Sequence, residues 1–233
     1  MNTDILKRLE QFDTPTITNA IATYPKDTAC CLGLYDPEEI GWYSNQDLKC
    51  VYPHLGPKCG YVVTAVYGTP NTVFNRLEFF DVLEAIEESP KPVILALKHN
   101  ATDKSKNALL GGNMMTSFKA LGIIGVIGDG PTRDVDEMRP MSVQCMFTGT
   151  VAGHGLLALQ AVNVPIDVCG MSIAPMEIIH MDENGAVKFP AKYAEKILEK
   201  ATQIRLRDEV RQKAIRKASG AREIADIMKG LYD

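Results

Sequence analysis

The segment Gly111-Gly112-Asn113-Met114-Met115 is followed, about a helix and a strand later, by Asp129-Gly130-Pro131-Thr132-Arg133-Asp134. Arg133 offers a planar guanidinium fork, charged at any ordinary pH, that can grip a carboxylate through two parallel hydrogen bonds. Asp134 is a hard oxygen ligand suited to Mg²⁺ or Mn²⁺, which often keep several waters and take only one or two protein carboxylates. A glycine pair that opens a helix leaves backbone N–H groups free for a carboxylate or phosphate. These types and spacings predict one site, with Gly111, Gly112, Asn113, Met114, Met115 and Arg133 binding substrate and Asp134 binding metal. A metal there would chelate the carboxylate and keto oxygens of a 2-oxo acid. It would stabilise the enolate left when the adjacent C–C bond breaks. Retro-aldol cleavage and decarboxylation of an oxaloacetate-like acid both release that pyruvate enolate. On spacing alone, an Asp-Gly turn followed by a surface ion pair is the commoner arrangement.

Other reactive side chains carry weaker signals. Lys98 follows the apolar run Val93 to Leu97, where a desolvated lysine could form a Schiff base with a keto acid; a solvent-facing lysine is the commoner case. His99, His154 and His180 have no companion at helical or triad spacing, although His154 lies in a glycine-rich loop and could touch a ligand. Cys50, His54 and Cys59 could be drawn as a zinc site, but Pro53 and Pro57 crowd them and a fourth ligand is not obvious. Cys145 and Cys169 lie in apolar runs and read as small hydrophobes. The chain has no Gly-x-Ser-x-Gly, no Gly-Lys-Ser/Thr phosphate loop and no full dinucleotide fingerprint.

The elements that must position the motif read as follows. Met114, Met115, Phe118 and Leu121 recur at helical spacing, and Ile123 to Ile127 is a short buried strand. The Arg-Asp pair therefore sits just past a strand, where open α/β sheets bind ligands. Upstream, Asp4 to Gln11 predicts a short helix, and Thr14 predicts an N-cap with Pro15 at the first helical position. Residues 24–57 show no clear periodicity and read as an irregular insertion. A strand is expected over Tyr61 to Tyr67, and an amphipathic helix over Asn75 to Glu87 with Leu77, Phe80, Leu83 or Ala85, and Ile86 inward. Downstream, strands are expected at Val143 to Phe147 and Val164 to Val168, with a short helix near Leu156 to Ala161. Ile178 to Met181 and Ala186 to Phe189 flank a hairpin turn at Glu183-Asn184-Gly185. Helices from about Ala191 to Lys217 and Arg222 to Leu231 end the chain. Mixed strands and helices with a late hairpin predict an α/β fold with a mixed sheet, in one domain spanning residues 1–233.

Composition narrows the function classes. A hydrophobic content of 45% over 233 residues is enough for a sizeable core. A net charge of −4 without a Lys/Arg block argues against direct nucleic-acid binding. The basic stretch Arg205 to Lys217 is interrupted by Asp208 and Glu209 and reads as a solvated helix face. Met1-Asn2-Thr3-Asp4 lacks the start of a signal peptide, and no apolar run approaches a bilayer span, so a cytoplasmic location is expected.

The segments Ala108 to Met114 and Gly122 to Met138 together resemble the core motif of the RraA-like family. Thr14 to Ala20 is similar to its N-terminal segment, with Asn19 where Asp is commoner, and Asp182 to Pro190 to its late hairpin. Pro175-Met176-Glu177 stands where Pro-Gly-Asp is usual, and the likeness covers roughly residues 10–220. The resemblance implies a β/β/α swivelling sandwich that assembles as a homotrimer or hexamer. It also implies either a class II 4-hydroxy-4-methyl-2-oxoglutarate aldolase with oxaloacetate decarboxylase activity, or a non-catalytic regulator of a ribonuclease. Retention of Arg133-Asp134 leans toward catalysis. Asn113 stands where many of the family's aldolases have an acidic residue, and Asn cannot act as a base near neutral pH. Either another carboxylate, with Asp129, Asp136 and Glu209 as candidates, serves as proton relay, or the activity differs. Glu209 loosely matches a glutamate that the family contributes from a neighbouring subunit.

Overall fold

The computed structural model describes residues 3–23, 31–71 and 77–229. The beginning of the 24–57 segment, the expected helix start at Asn75 and the last residues of the final helix lie outside these. The chain opens with α1 (Thr3–Leu9) and α2 (Thr14–Ile21), and Asp13 rather than Thr14 caps α2 by accepting from the Thr16 N–H. Thr14 is occupied otherwise: its N–H donates to Asp182 and its hydroxyl meets His180 Nδ1. After β1 (Lys49–Cys50) come the long β2 (Lys58–Gly68) and α3 (Phe79–Glu88), whose start is fixed by a reciprocal cap between Glu78 and Asp81. Its inward face is Val82, Ala85 and Ile86, while Phe80, expected inside, is exposed.

The motif region supplies β3 (Val93–Asn100), α4 (Gly112–Ala120), β4 (Ile123–Gly128), the short α5 (Val135–Met138) and β5 (Gln144–Phe147). Next is β6 (Ala158–Val162), a strand where the Leu- and Ala-rich sequence suggests a helix. Its hydrogen bonds to β2 override that local preference. The chain ends with the ribbon β7 (Ile166–Val168) and β8 (Met171–Ile173), the hairpin β9 (Ile178–Asp182) and β10 (Gly185–Phe189), then α6 (Ala194–Ile215) and α7 (Ala221–Lys229). The hairpin closes on Glu183-Asn184, since Asp182 already pairs with Gly185.

One mixed sheet organises these elements, in the order β1-β5-β4-β3-β2-β9-β10, with β6 also on β2. The centre, β2 through β5, is parallel. Central strands buried on both faces need near-continuous apolar runs, and Val93-Ile94-Leu95-Ala96-Leu97 is one. Alternation assigns its faces: Val93, Leu95 and Leu97 meet α3 and α4, whereas Ile94 and Ala96 meet the β7–β8 ribbon. The result is ribbon on sheet on helices, the β/β/α sandwich expected. A third cluster packs α1, α2 and α6 against β9 and β10.

His180 ties that third cluster together. It is fully buried, with Nε2 3.2 Å from the Leu9 carbonyl and Nδ1 3.0 Å from the Thr14 hydroxyl. A carbonyl only accepts, so Nε2 carries the proton and the ring is neutral. Burial pushes its pKa down to about 4, only partly opposed by Asp182. An unfolded histidine titrates near 6.5, so the unfolded chain takes up a proton first as pH falls. Stability is therefore lost between about pH 6.5 and pH 4, by about 3 kcal/mol in all. The unfolding free energy from urea titrations should fall by about 2 kcal/mol more between pH 7 and pH 5 in the native chain than in His180→Gln. Parallel slopes would contradict a neutral His180.

Candidate functional site

The sequence Leu110-Gly111-Gly112 carries the chain from the sheet into α4. Gly111 is the N-cap, Gly112 the first helical residue, and Met115 makes the first helical bond, to the Gly111 carbonyl at 3.0 Å. Both glycines are required by what lies against them. A Cβ on Gly111 would sit 2.7 Å from Asp134 Oδ2 and 3.0 Å from Arg133 Nε. A Cβ on Gly112 would overlap the Glu137 carboxylate. The arriving segment is pinned by the Arg133 N–H on the Leu110 carbonyl, 3.0 Å, and the Leu109 N–H on Pro131, 2.8 Å. Thr132, fully buried, adds its hydroxyl to Leu110 at 3.0 Å.

Asp134 lies beside these glycines with a left-handed backbone, φ 56° and ψ 35°, directly before α5. Few non-glycine residues take up that conformation, and Asp and Asn do so most readily. Asp134 Oδ2 accepts the Gly112 N–H at 3.0 Å and lies 3.4 Å from Arg133 Nε. Both side chains remain about one-third exposed. A carboxylate thus sits at the positive end of α4, next to a fixed cation and the Glu137 carboxylate.

A cavity of about 130 Å³ opens beside this cluster, and its lining includes Gly111, Asn113, Met114, Arg133, Tyr67, His154 and Leu157. The structure thus brings together Gly111, Gly112, Asn113, Met114, Arg133 and Asp134. Met115 is corrected: it is fully buried in the helix-facing core, and its N–H is spent on Gly111. The Gly112 N–H is likewise spent, on Asp134, which leaves the N–H groups of Asn113 and Met114 for a ligand. Glu209 is exposed on α6, whose packing is against α1 and α2, and it is not brought to this site within the chain.

The other candidates fall elsewhere. Asp129 belongs to a second cavity of about 370 Å³, where Oδ2 binds Lys98 at 2.7 Å and Lys104 at 2.9 Å. Its Oδ1 accepts the His99 N–H at 2.6 Å. With each oxygen engaged, Asp129 is a latch for the 101–111 loop rather than a proton relay. Lys98 is neither beside Arg133 nor solvent-facing, but half-buried in that ion pair, which removes it from this site as a Schiff-base former. Asp136 is 93% exposed and paired with Arg139, away from the cavity. His99 is buried, its Nε2 3.0 Å from the Asn107 carbonyl, and burial lowers its pKa. His154 does line the cavity. Cys59 is buried beside α1, while Cys50 donates to Gln144, and no cluster of three or more His, Cys, Asp or Glu fit for a metal occurs among the described residues.

Sequence reasoning missed Tyr67 and Glu137. Glu137 follows Asp134 at helical spacing, a signal available beforehand. Tyr67 ends an ordinary β-rich run, and nothing in its neighbours marks it.

A mixed-sheet sandwich with an Arg-Asp pair at a glycine-opened helix defines a recognisable class. The chain belongs to the Aldolase/RraA family: the RraA-like family model matches residues 38–188. A Halalkalibacterium halodurans protein named "Putative 4-hydroxy-4-methyl-2-oxoglutarate aldolase" is 32% identical over 136 residues, 58% of this chain and 63% of that protein. The match thus spans about three-fifths of that curated relative. Among solved structures, the fold resembles an uncharacterized Pseudomonas syringae protein, with a TM-score of 0.74 at 18% identity, covering 99% of this chain and 95% of that one. It also resembles Streptomyces coelicolor RraAS2, described as an unusual member of the RNase ES inhibitor RraA family. There the TM-score is 0.70 at 19% identity, covering 91% of this chain and 97% of that one. No helix among the described residues is long and apolar enough to cross a membrane.

Proposed function

We propose that the protein is a divalent-metal-dependent lyase that breaks a C–C bond in a short 2-oxo acid and releases pyruvate. The reaction is retro-aldol cleavage of a 4-hydroxy-2-oxo acid or decarboxylation of an oxaloacetate-like acid. The convergence of Arg133 and Asp134 on the open end of α4 carries this reading, and the aldolase name of the 32%-identical relative supports it.

The donor set fits a hard cation. Asp134 is partly exposed, and Glu137 offers a second carboxylate against Gly112. So few protein ligands suit an ion that keeps most of its waters, as Mg²⁺ does. Asp134 would hold Mg²⁺ or Mn²⁺, and the bound ion would supply Lewis-acid stabilisation of charge developing on the keto oxygen. Arg133 grips the substrate carboxylate through its fork, and the Asn113 and Met114 N–H groups hold it from the helix end. Pyruvate release should vanish on chelation and return with Mg²⁺ or Mn²⁺; turnover that persists in thoroughly chelated protein refutes the mechanism.

Asn113 cannot supply a base, and Asp129 and Asp136 are engaged elsewhere. Glu137 is the carboxylate at hand within the chain, and Glu209 of a neighbouring copy in a homotrimer is the other source. If Glu209 acts across an interface, Glu209→Gln should depress turnover while leaving assembly intact. Mixed with Asp134→Ala it should recover roughly a quarter of native activity, since about that share of interfaces then pairs two intact halves. An active monomer on a sizing column excludes the arrangement.

The second reading is a regulator that kept the fold without the chemistry, favoured by Asn113 and by the fold of RraAS2. An acidic surface would suit a basic protein partner better than RNA. Saturating oxalate and Mg²⁺ separate the two: binding at Arg133 and Asp134 supports the lyase. Absence of binding, together with a stable ribonuclease complex in pull-down, supports the regulator.

A further inference from the structure

His99 does not line the cavity, yet its ring is tied by two hydrogen bonds to the loop that leads into it. Alternation along β3 puts His99 in the row of Val93, Leu95 and Leu97, which faces the helices, and sends Lys98 to the second cavity. The Ala101 N–H donates to Nδ1 at 3.3 Å, and Nε2 is 3.0 Å from the Asn107 carbonyl. An amide N–H only donates and a carbonyl only accepts, so Nδ1 bears the lone pair and Nε2 the proton. Both contacts hold only for the neutral ring, because a proton added at Nδ1 would face the Ala101 N–H. The ring is fully buried and closely packed: a Cβ on Gly130 would sit 2.6 Å from its Cδ2.

What the ring holds in turn shapes the cavity. Asn107 directly precedes the run Ala108 to Met114 that lines it. The Asn107 side chain donates to the Asp103 carbonyl at 2.6 Å, and a Cβ on Gly155 would overlap that side chain. A Cβ on Gly153 would come within 3.0 Å of the Lys106 carbonyl. The 101–111 loop and the segment carrying His154, which both contribute lining residues, therefore meet beside the residue that His99 fixes. Burial holds the ring's pKa below the ordinary histidine value, helped by Lys104 and opposed by the Asn107 carbonyl, Asp129 and Asp103. Tyr67, opposite His99 in the register of β2, stays a neutral phenol because burial raises its pKa.

We infer that His99 is a positioning residue for the substrate site: its neutral ring fixes the 101–111 loop, and protonating it releases the loop and weakens the grip on the substrate carboxylate. This rests on the lyase reading and adds a pH dependence to it. NMR of ring-labelled histidine should show His99 protonated at Nε2 alone at pH 8. In calorimetric titrations with oxalate and Mg²⁺, affinity should be level above pH 7 and fall about tenfold as that ring titrates, below about pH 6.5. His99→Gln keeps a donor for the Asn107 carbonyl and cannot take up a proton. It should bind oxalate within about threefold of native at pH 8 and lose the acid fall, whereas His99→Leu should bind about tenfold more weakly throughout. His180 titrates alike in native and variant and cancels in the comparison, and His154→Gln, which removes the histidine in the lining, should keep the acid fall. An acid fall that survives His99→Gln or vanishes in His154→Gln, or a ring protonated at Nδ1 at pH 8, overturns the role of His99 and leaves the lyase reading standing. If His99→Leu fails to fold, the Gln variant and the native titration still decide. If the native protein binds no oxalate with Mg²⁺ at pH 8, the lyase reading falls and this inference with it.

Discussion

Asp134→Ala should lower metal-dependent pyruvate release on the order of 10³-fold, the loss expected when a fixed group facing developing charge is removed. Alanine also strains a left-handed backbone, so the decisive comparison is Asp134→Asn. Asparagine tolerates that conformation and can still accept the Gly112 N–H, but it carries no charge. The Asn variant should melt close to the native protein and be nearly as inactive as the Ala variant, with Mg²⁺ no longer stimulating it. A stable Asp134→Asn protein with near-native, metal-stimulated turnover would remove Asp134 from the chemistry.

Arg133→Lys should cost about 10- to 100-fold in kcat/KM, the equivalent of one charge-assisted hydrogen bond. Lysine keeps the charge but not the fork, and its ammonium cannot both approach Asp134 and hold a carboxylate in two places. Because Arg133 grips substrate before and during the reaction, most of the loss should appear in KM, with metal affinity near native. Steady-state kinetics across Mg²⁺ concentrations separate these parameters. A KM unchanged by the substitution would mean that the substrate carboxylate lies elsewhere.

The strand-helix-strand around the motif was legible because its periodicity and its turn residues agree. The five apolar residues from Val93, the helical spacing of Met115 and Phe118, and the glycine pair all predict the elements found. Where two residues could play one part, local pattern did not suffice. Asp13 caps α2 because Thr14 is claimed by His180 and Asp182, residues more than 160 positions away. The strand β6 was unreadable for a related reason: Leu157, Ala158 and Leu159 favour helix until β2 offers them a ladder. Within the site, the chemical character of Arg133 and Asp134 could be read directly. The engagement of the Gly112 and Met115 N–H groups could not, because it depends on a side chain arriving from 22 residues downstream and on where the helix begins. Tyr67 shows the limit most clearly, since its place in the cavity lining arises only from tertiary packing.

Part of the cavity lining depends on a closure between segments distant in sequence. Tyr67 and Leu157 become neighbours only after β6 docks on β2, a closure anchored by the Thr64 hydroxyl on the Val164 carbonyl across 100 positions. The segments that hold Arg133 to Leu110 are separated by a quarter of that span, within the local strand-helix-strand unit. Loops close in order of their entropic cost, and non-local pairings form late. The residues around Arg133 and Asp134 are thus joined by contacts near in sequence, whereas Tyr67 and Leu157 complete the lining only through the long-range return of the chain.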